Sequence, residues 1–106
     1  MAIIKIKNLR LRTTIGIEEA ERQSPQDIII NADIEIDATL AARSDNIKLT
    51  YDYKTITKSI ISAVEASQFF LLEKLTDYLL ELIMEDTRVL AATVEIEKPH
   101  ALRFAD

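Results

Sequence analysis

Three side chains in this sequence have the types and neighbours from which acid–base chemistry can be built. They are Glu73 in Leu71-Leu72-Glu73-Lys74-Leu75, Lys98 in Glu97-Lys98-Pro99, and Tyr53 in Tyr53-Lys54-Thr55. A carboxylate accepts hydrogen bonds, an ammonium donates them and a phenol does either, so the set has the parts needed to move a proton. Each also has an ordinary reading. An acid early in a helix is favoured by the helix dipole, a lysine at a strand end is commonly a solvated rim residue, and a tyrosine in a helix's first turn packs its ring and leaves its hydroxyl wet. Periodicity and composition do not choose between these readings. Other chemistries are closed: one histidine, His100, and no cysteine leave neither a zinc cage nor a serine or cysteine triad. A single glycine, Gly16, cannot form a glycine-rich phosphate loop.

The elements that must position these groups follow from hydrophobic period. Ile4 and Ile6 oppose Lys5 and Lys7, and beyond Asn8 the alternation resumes in the other phase, with Leu9 and Leu11 opposing Arg10 and Arg12. This pattern predicts a strand with a bulge near Lys7-Asn8. Between Asp27 and Asp37, Ile28, Ile30, Ala32, Ile34 and Ile36 alternate with polar residues, which predicts a second strand after a polar loop over 16–26. Ile56, Ile60, Ala63 and Val64 recur at helical spacing behind Asp52, a suitable N-cap. Leu72, Leu75, Leu79, Leu82 and Ile83 repeat the stripe over about 71–85. Leu90, Ala92, Val94 and Ile96 then alternate with Ala91, Thr93, Glu95 and Glu97, which predicts a third strand ended by Pro99. Two helices over one face of an antiparallel sheet is the α+β arrangement this order implies. Lys5, Lys7, Arg10 and Arg12 would face Asp33, Glu35 and Asp37 across a hairpin on the other face. Long open edges are relieved by pairing with other subunits, so a homo-oligomer in which strands close a barrel between chains is expected.

Composition sets the outer limits. With 106 residues, 48% of them apolar, there is one domain over 1–106 and one modest core. A net charge of −5 has the wrong sign for general nucleic-acid binding. No apolar run reaches the roughly 20 residues of a membrane span, and no charged leader precedes an apolar run at Met1-Ala2-Ile3-Ile4. Together with the missing cysteines, these features fit a reducing, cytoplasmic setting.

Five segments, in order, resemble the dihydroneopterin aldolase family. They are Ile6-Lys7-Asn8-Leu9-Arg10-Leu11-Arg12-Thr13, Ile15-Gly16-Ile17-Glu18, Tyr53-Lys54-Thr55-Ile56-Thr57-Lys58, Leu71-Leu72-Glu73-Lys74-Leu75-Thr76, and the stretch from Val94-Glu95-Ile96-Glu97-Lys98-Pro99 to His100-Ala101-Leu102-Arg103-Phe104-Ala105-Asp106. The first and last of these are most similar to the family's bacterial epimerase branch. The resemblance implies a tunnelling fold (T-fold) of order β-β-α-α-β-(β), whose final strand the 106 residues lack. Subunits of this fold join their sheets into oligomeric barrels, as tetramers or octamers, with pterin pockets between neighbours. No cofactor and no metal is implied.

Carried over by position, the resemblance makes Glu73 the anchor for the pterin's amino group and ring nitrogen, with the backbone at Leu72 beside the ring carbonyl. It makes Lys98 the catalytic lysine, Glu21 the loop carboxylate that positions it, and Tyr53 a catalytic tyrosine reaching into a neighbour's pocket. Arg10, Arg12, His100 and Arg103 become candidates for contacting phosphate, although Arg10 and Arg12 could equally pair with the acids of the second strand. The implied reaction is epimerisation at C2' of 7,8-dihydroneopterin triphosphate through retro-aldol and aldol steps. The alternatives are net aldolase cleavage of dihydroneopterin, releasing glycolaldehyde, and a noncatalytic pterin-binding or assembly protein of the same fold. Tyr51 stands where this branch is usually aliphatic, leaving Tyr53 as the ungapped match.

Overall fold

In the computed structural model, residues 2–17, 19, 22, 25–37, 39 and 52–99 are described. Three strands and two helices follow in the order β1 (Ala2–Thr13), β2 (Gln26–Ile36), α1 (Tyr53–Ala66), α2 (Leu72–Met84) and β3 (Val89–Glu97). The strands form one antiparallel sheet in the order β1-β2-β3, so β2 is central. Helix α1 lies over β1 and α2 over β3.

The period-2 run of β2 becomes the sheet's contribution to the core. Ile28, Ile30, Ala32, Ile34 and Ile36 are all buried, and against the isoleucines pack Ile60 and Val64 of α1 and Leu75, Leu79 and Ile83 of α2. Full burial of each such side chain contributes about 1.5–3 kcal/mol. The slip in β1 is a bulge: pairing with β2 shifts between Ile6 and Leu9, and Asn8 takes φ 54°, a left-handed value that asparagine tolerates. The amide released there is not orphaned, because Asn8 N–H donates to Asn31 Oδ1 at 2.9 Å. Asp52 caps α1 by accepting from the amides of Lys54 at 2.9 Å and Thr55 at 3.4 Å and from Thr55 Oγ1 at 2.8 Å.

Two details depart from the expected pattern. Leu90 is not on the inner face of β3. Pairing passes from Ile36–Val89 to Glu35–Ala91, so Leu90 is the extra residue of a second bulge. Val89 takes the buried place, and Leu90 is 53% exposed. Of the charge pairs expected across the hairpin, Lys5 does face Asp33, with Nζ 3.9 Å from Oδ1. Arg12 instead meets Asp27, Nε to Oδ1 at 2.9 Å, because the register sets those two residues opposite one another. Exposed pairs of this kind contribute about 0–1 kcal/mol each. Among the described residues, no helix is long and apolar enough to cross a membrane. The expectation of an absent fourth strand concerns chain beyond the described residues.

Candidate active site

Where β3 ends and α2 begins, the sheet and helix layers part and leave a cleft of about 290 Å³. One wall is Ile15-Gly16-Ile17, the segment that follows β1. The other is Phe70-Leu71-Leu72-Glu73, which leads into α2, and Lys98 enters from the end of β3. Residues 25 apart in sequence, Glu73 and Lys98, therefore share one small cleft. Glu73 stands in the first turn of α2, where the helix dipole favours its negative charge. Leu71, the N-cap, is extended and provides no side-chain cap, and its carbonyl accepts from the amides of Lys74 at 3.2 Å and Leu75 at 3.3 Å. Lys98 directly follows Glu97, which pairs with Ile29 of central β2, so its backbone is held by the sheet. The side chain of Lys98 is half-buried.

Gly16 is the wall residue that could be nothing else. Its φ of 131° lies where a Cβ would clash, and it is buried, so the backbone lies against the cleft without a side chain intervening. Two contacts fasten this wall to the segment between the helices. Thr13, 2% exposed, has its Oγ1 2.8 Å from Val64 O, 3.0 Å from Ser67 O and 3.1 Å from Ser67 Oγ. The guanidinium of Arg22 donates to Gly16 O at 3.3 Å, Phe69 O at 3.4 Å and Gln68 O at 3.0 Å, and lies 4.0 Å from the centroid of the Phe70 ring. Sequence reading missed both residues. Arg22 reaches carbonyls 46 and 47 positions away, and no local spacing signals such a contact.

The remaining site residues separate. Tyr53 begins α1 and is 56% exposed. Its neighbours Asp52 and Thr55 line a different hollow, of about 230 Å³, with Glu85, Asp86 and Arg88 at the far end of α2. A helix of 14 residues is about 21 Å long, so within one chain Tyr53 is a helix length from the Glu73–Lys98 cleft. Arg10 and Arg12 line a third hollow, of about 570 Å³, with Leu11, Pro25, Asp27 and Glu65, on the side of β1. Glu21, His100 and Arg103 lie outside the described residues, as does Tyr51. Of the carboxylates, Asp52 is held below its ordinary value by the Thr55 hydroxyl and the amides of Lys54 and Thr55. Asp86 is held low by the Arg88 side chain and amide. Among the described residues there is no group of three or more His, Asp or Glu side chains that could hold a metal ion. The cleft thus offers one carboxylate, one amine and apolar walls, a set suited to a flat heterocycle with an N–H edge.

Comparison with known proteins places these observations. The sequence profile of the dihydroneopterin aldolase family, FolB, matches residues 4–106. The chain is 52% identical to the dihydroneopterin triphosphate 2'-epimerase of Escherichia coli K12, over 99% of this chain and 88% of that protein. It is 49% identical to the Pseudomonas aeruginosa protein of the same name, over 100% of this chain and 86% of that one. Among solved structures it is similar to E. coli dihydroneopterin aldolase in complex with neopterin, with a TM-score of 0.89 and 28% identity over 99% of this chain and 91% of the other.

Proposed function

This chain belongs to the dihydroneopterin aldolase family, and we propose that it catalyses the 2'-epimerisation of 7,8-dihydroneopterin triphosphate to dihydromonapterin triphosphate. It is an enzyme of the T-fold, and its relatives divide by similarity: about half of its residues match the epimerases and 28% match the aldolases. The observation that carries the reading is the shared cleft of Glu73 and Lys98, reached from two different elements.

In this reading Glu73 accepts two N–H bonds from the pterin's amino group and adjacent ring nitrogen, and the backbone at Leu72 meets the ring carbonyl. Lys98 moves protons with water, positioned by Glu21. Removal of the 2'-hydroxyl proton lets the C1'–C2' bond break. Its electron pair passes into the conjugated pterin while C2' becomes an aldehyde carbon. Re-addition of C1' to the opposite face of that aldehyde and return of the proton invert C2'. If the pterin fragment is instead protonated at C1' and the aldehyde leaves, the net result is aldolase cleavage. This second reading draws on the family's aldolase members, among them the E. coli protein at 28% identity, and the two outcomes share every group named. The chain acts as a homo-oligomer in the cytoplasm, with Tyr53 of a neighbouring subunit completing each cleft and Arg10, Arg12, His100 and Arg103 available to the phosphates.

Incubation with dihydroneopterin triphosphate, followed by dephosphorylation and separation of the pterins, tests the proposal. A monapterin product supports epimerisation, and 6-hydroxymethyl-dihydropterin with an equivalent of aldehyde supports the aldolase reading. Neither product would overturn both.

A further inference from the structure

We propose that Arg22 is a positioning residue that clamps the two walls of the pterin cleft together, with the Phe70 ring as its counterpart. The inference rests on the reading of the cleft as a pterin site, and it adds a residue which that reading does not use. Beside the walls, Thr13 ties the end of β1 to the end of α1, its hydroxyl lying among Val64 O and Ser67 O. Arg22 reaches Gly16 O on one wall and Gln68 O and Phe69 O on the approach to the other. A planar fork suits this work because its N–H groups diverge in fixed directions and can serve carbonyls on separate segments. The three carbonyl bonds commit the guanidinium to the protein. Its flat face 4.0 Å from the Phe70 centroid fixes that ring, which is 59% exposed at the cleft, by cation–π attraction.

The consequence is a slot that is in place before ligand arrives. Without the clamp, a planar ligand must order the 15–17 and 68–71 segments as it binds, and that cost weakens affinity. Glu73 and Lys98 are carried by α2 and the end of β3, so bond-breaking itself is little affected once substrate is bound. A clamp therefore predicts a loss in binding with kcat retained.

The test uses the full chain carrying Arg22→Ala, Arg22→Lys, Phe70→Leu, or Arg22→Ala with Phe70→Leu, with neopterin as the binding probe. Arg22→Ala is expected to raise Kd for neopterin and KM for substrate roughly tenfold while kcat stays within about twofold, the signature of lost uniform binding. Arg22→Lys keeps a cation over the ring but loses the fork, and falls between. The double variant is expected to bind no worse than Arg22→Ala alone, because the two side chains act as one unit. Unchanged Kd and KM would overturn the clamp, even with a lowered Tm, and so would a collapse of kcat at unchanged Kd. Should Arg22→Ala fail to fold, the Lys and Leu variants carry the same comparison. If the unaltered protein neither binds neopterin nor turns over substrate, the pterin reading fails and the clamp with it. If it does both and the variants match it, only the clamp fails.

Discussion

In the proposed reading, the carboxylate and the amine of one cleft divide the work of recognition from the work of proton transfer, and single substitutions separate the two. Replacing Glu73 with Ala removes both acceptor oxygens that this reading gives to the heterocycle. Each hydrogen bond to a charged group is worth about 1.5–3 kcal/mol, so KM should rise roughly a hundredfold or more. Lys98→Ala should leave binding of neopterin nearly intact and lower kcat by about 10²–10⁴, the usual contribution of a positioned acid–base group. Isothermal titration and steady-state kinetics on the two variants check the split; normal turnover by Lys98→Ala would remove its assigned role. Arg12 poses a different question, since Asp27 already holds its Nε at 2.9 Å. If Arg12 contacts phosphate, Arg12→Ala raises KM for the triphosphorylated substrate and leaves KM for dihydroneopterin unchanged. An equal effect on both leaves Arg12 as the partner of Asp27 alone.

At the scale of elements, the cleft depends on how the end of β1 is fastened to the end of α1. Thr13→Val keeps the shape of the side chain but leaves Ser67 O without the hydroxyl, and should destabilise the fold by about 1–3 kcal/mol in urea unfolding. Acid should loosen the end of the helix layer where α1 starts and α2 stops. Asp52 and Asp86 have folded pKa values below their ordinary 3.8, so their contribution is complete above that value and is lost as pH falls through the depressed folded values. Thermal melts between pH 5 and pH 2 should show Tm falling below about pH 4, less steeply in Asp52→Asn. All five elements and the β1 bulge were legible because each rests on a short period: two for Ile28 to Ile36, helical for Leu72 to Ile83. The β3 bulge was not, because Val89 and Leu90 are both apolar and alternation alone cannot say which turns inward. Glu73 and Lys98 were legible as residue types and by resemblance. Their meeting was not readable from spacing, and neither was the Arg22 contact, because both are made only when distant segments fold together.

At the scale of the whole molecule, a single chain does not bring the proposed site residues together. Tyr53 starts α1 beside Asp52, Glu85 and Asp86, whereas Glu73 and Lys98 lie at the opposite end of the helix layer. Central β2 is paired on both sides, while β1 and β3 each leave one edge free of strand partners among the described residues. Strand pairing between subunits would satisfy those edges and could bring one chain's Tyr53 to another's cleft. This arrangement predicts complementation between defective subunits. Lys98→Ala and Tyr53→Phe chains, each expected to be nearly inactive alone, are unfolded together and refolded as mixed oligomers. With random assembly in equal amounts, about a quarter of the clefts receive an intact Lys98 from one chain and an intact Tyr53 from another, so activity should recover to roughly 25% of the unaltered protein. A double variant carrying both changes on one chain, mixed with unaltered protein in the same ratio, gives the same fraction and calibrates the measurement. If Tyr53 served the cleft of its own chain, no mixed cleft would hold both groups, and the two single variants would stay inactive however they were assembled.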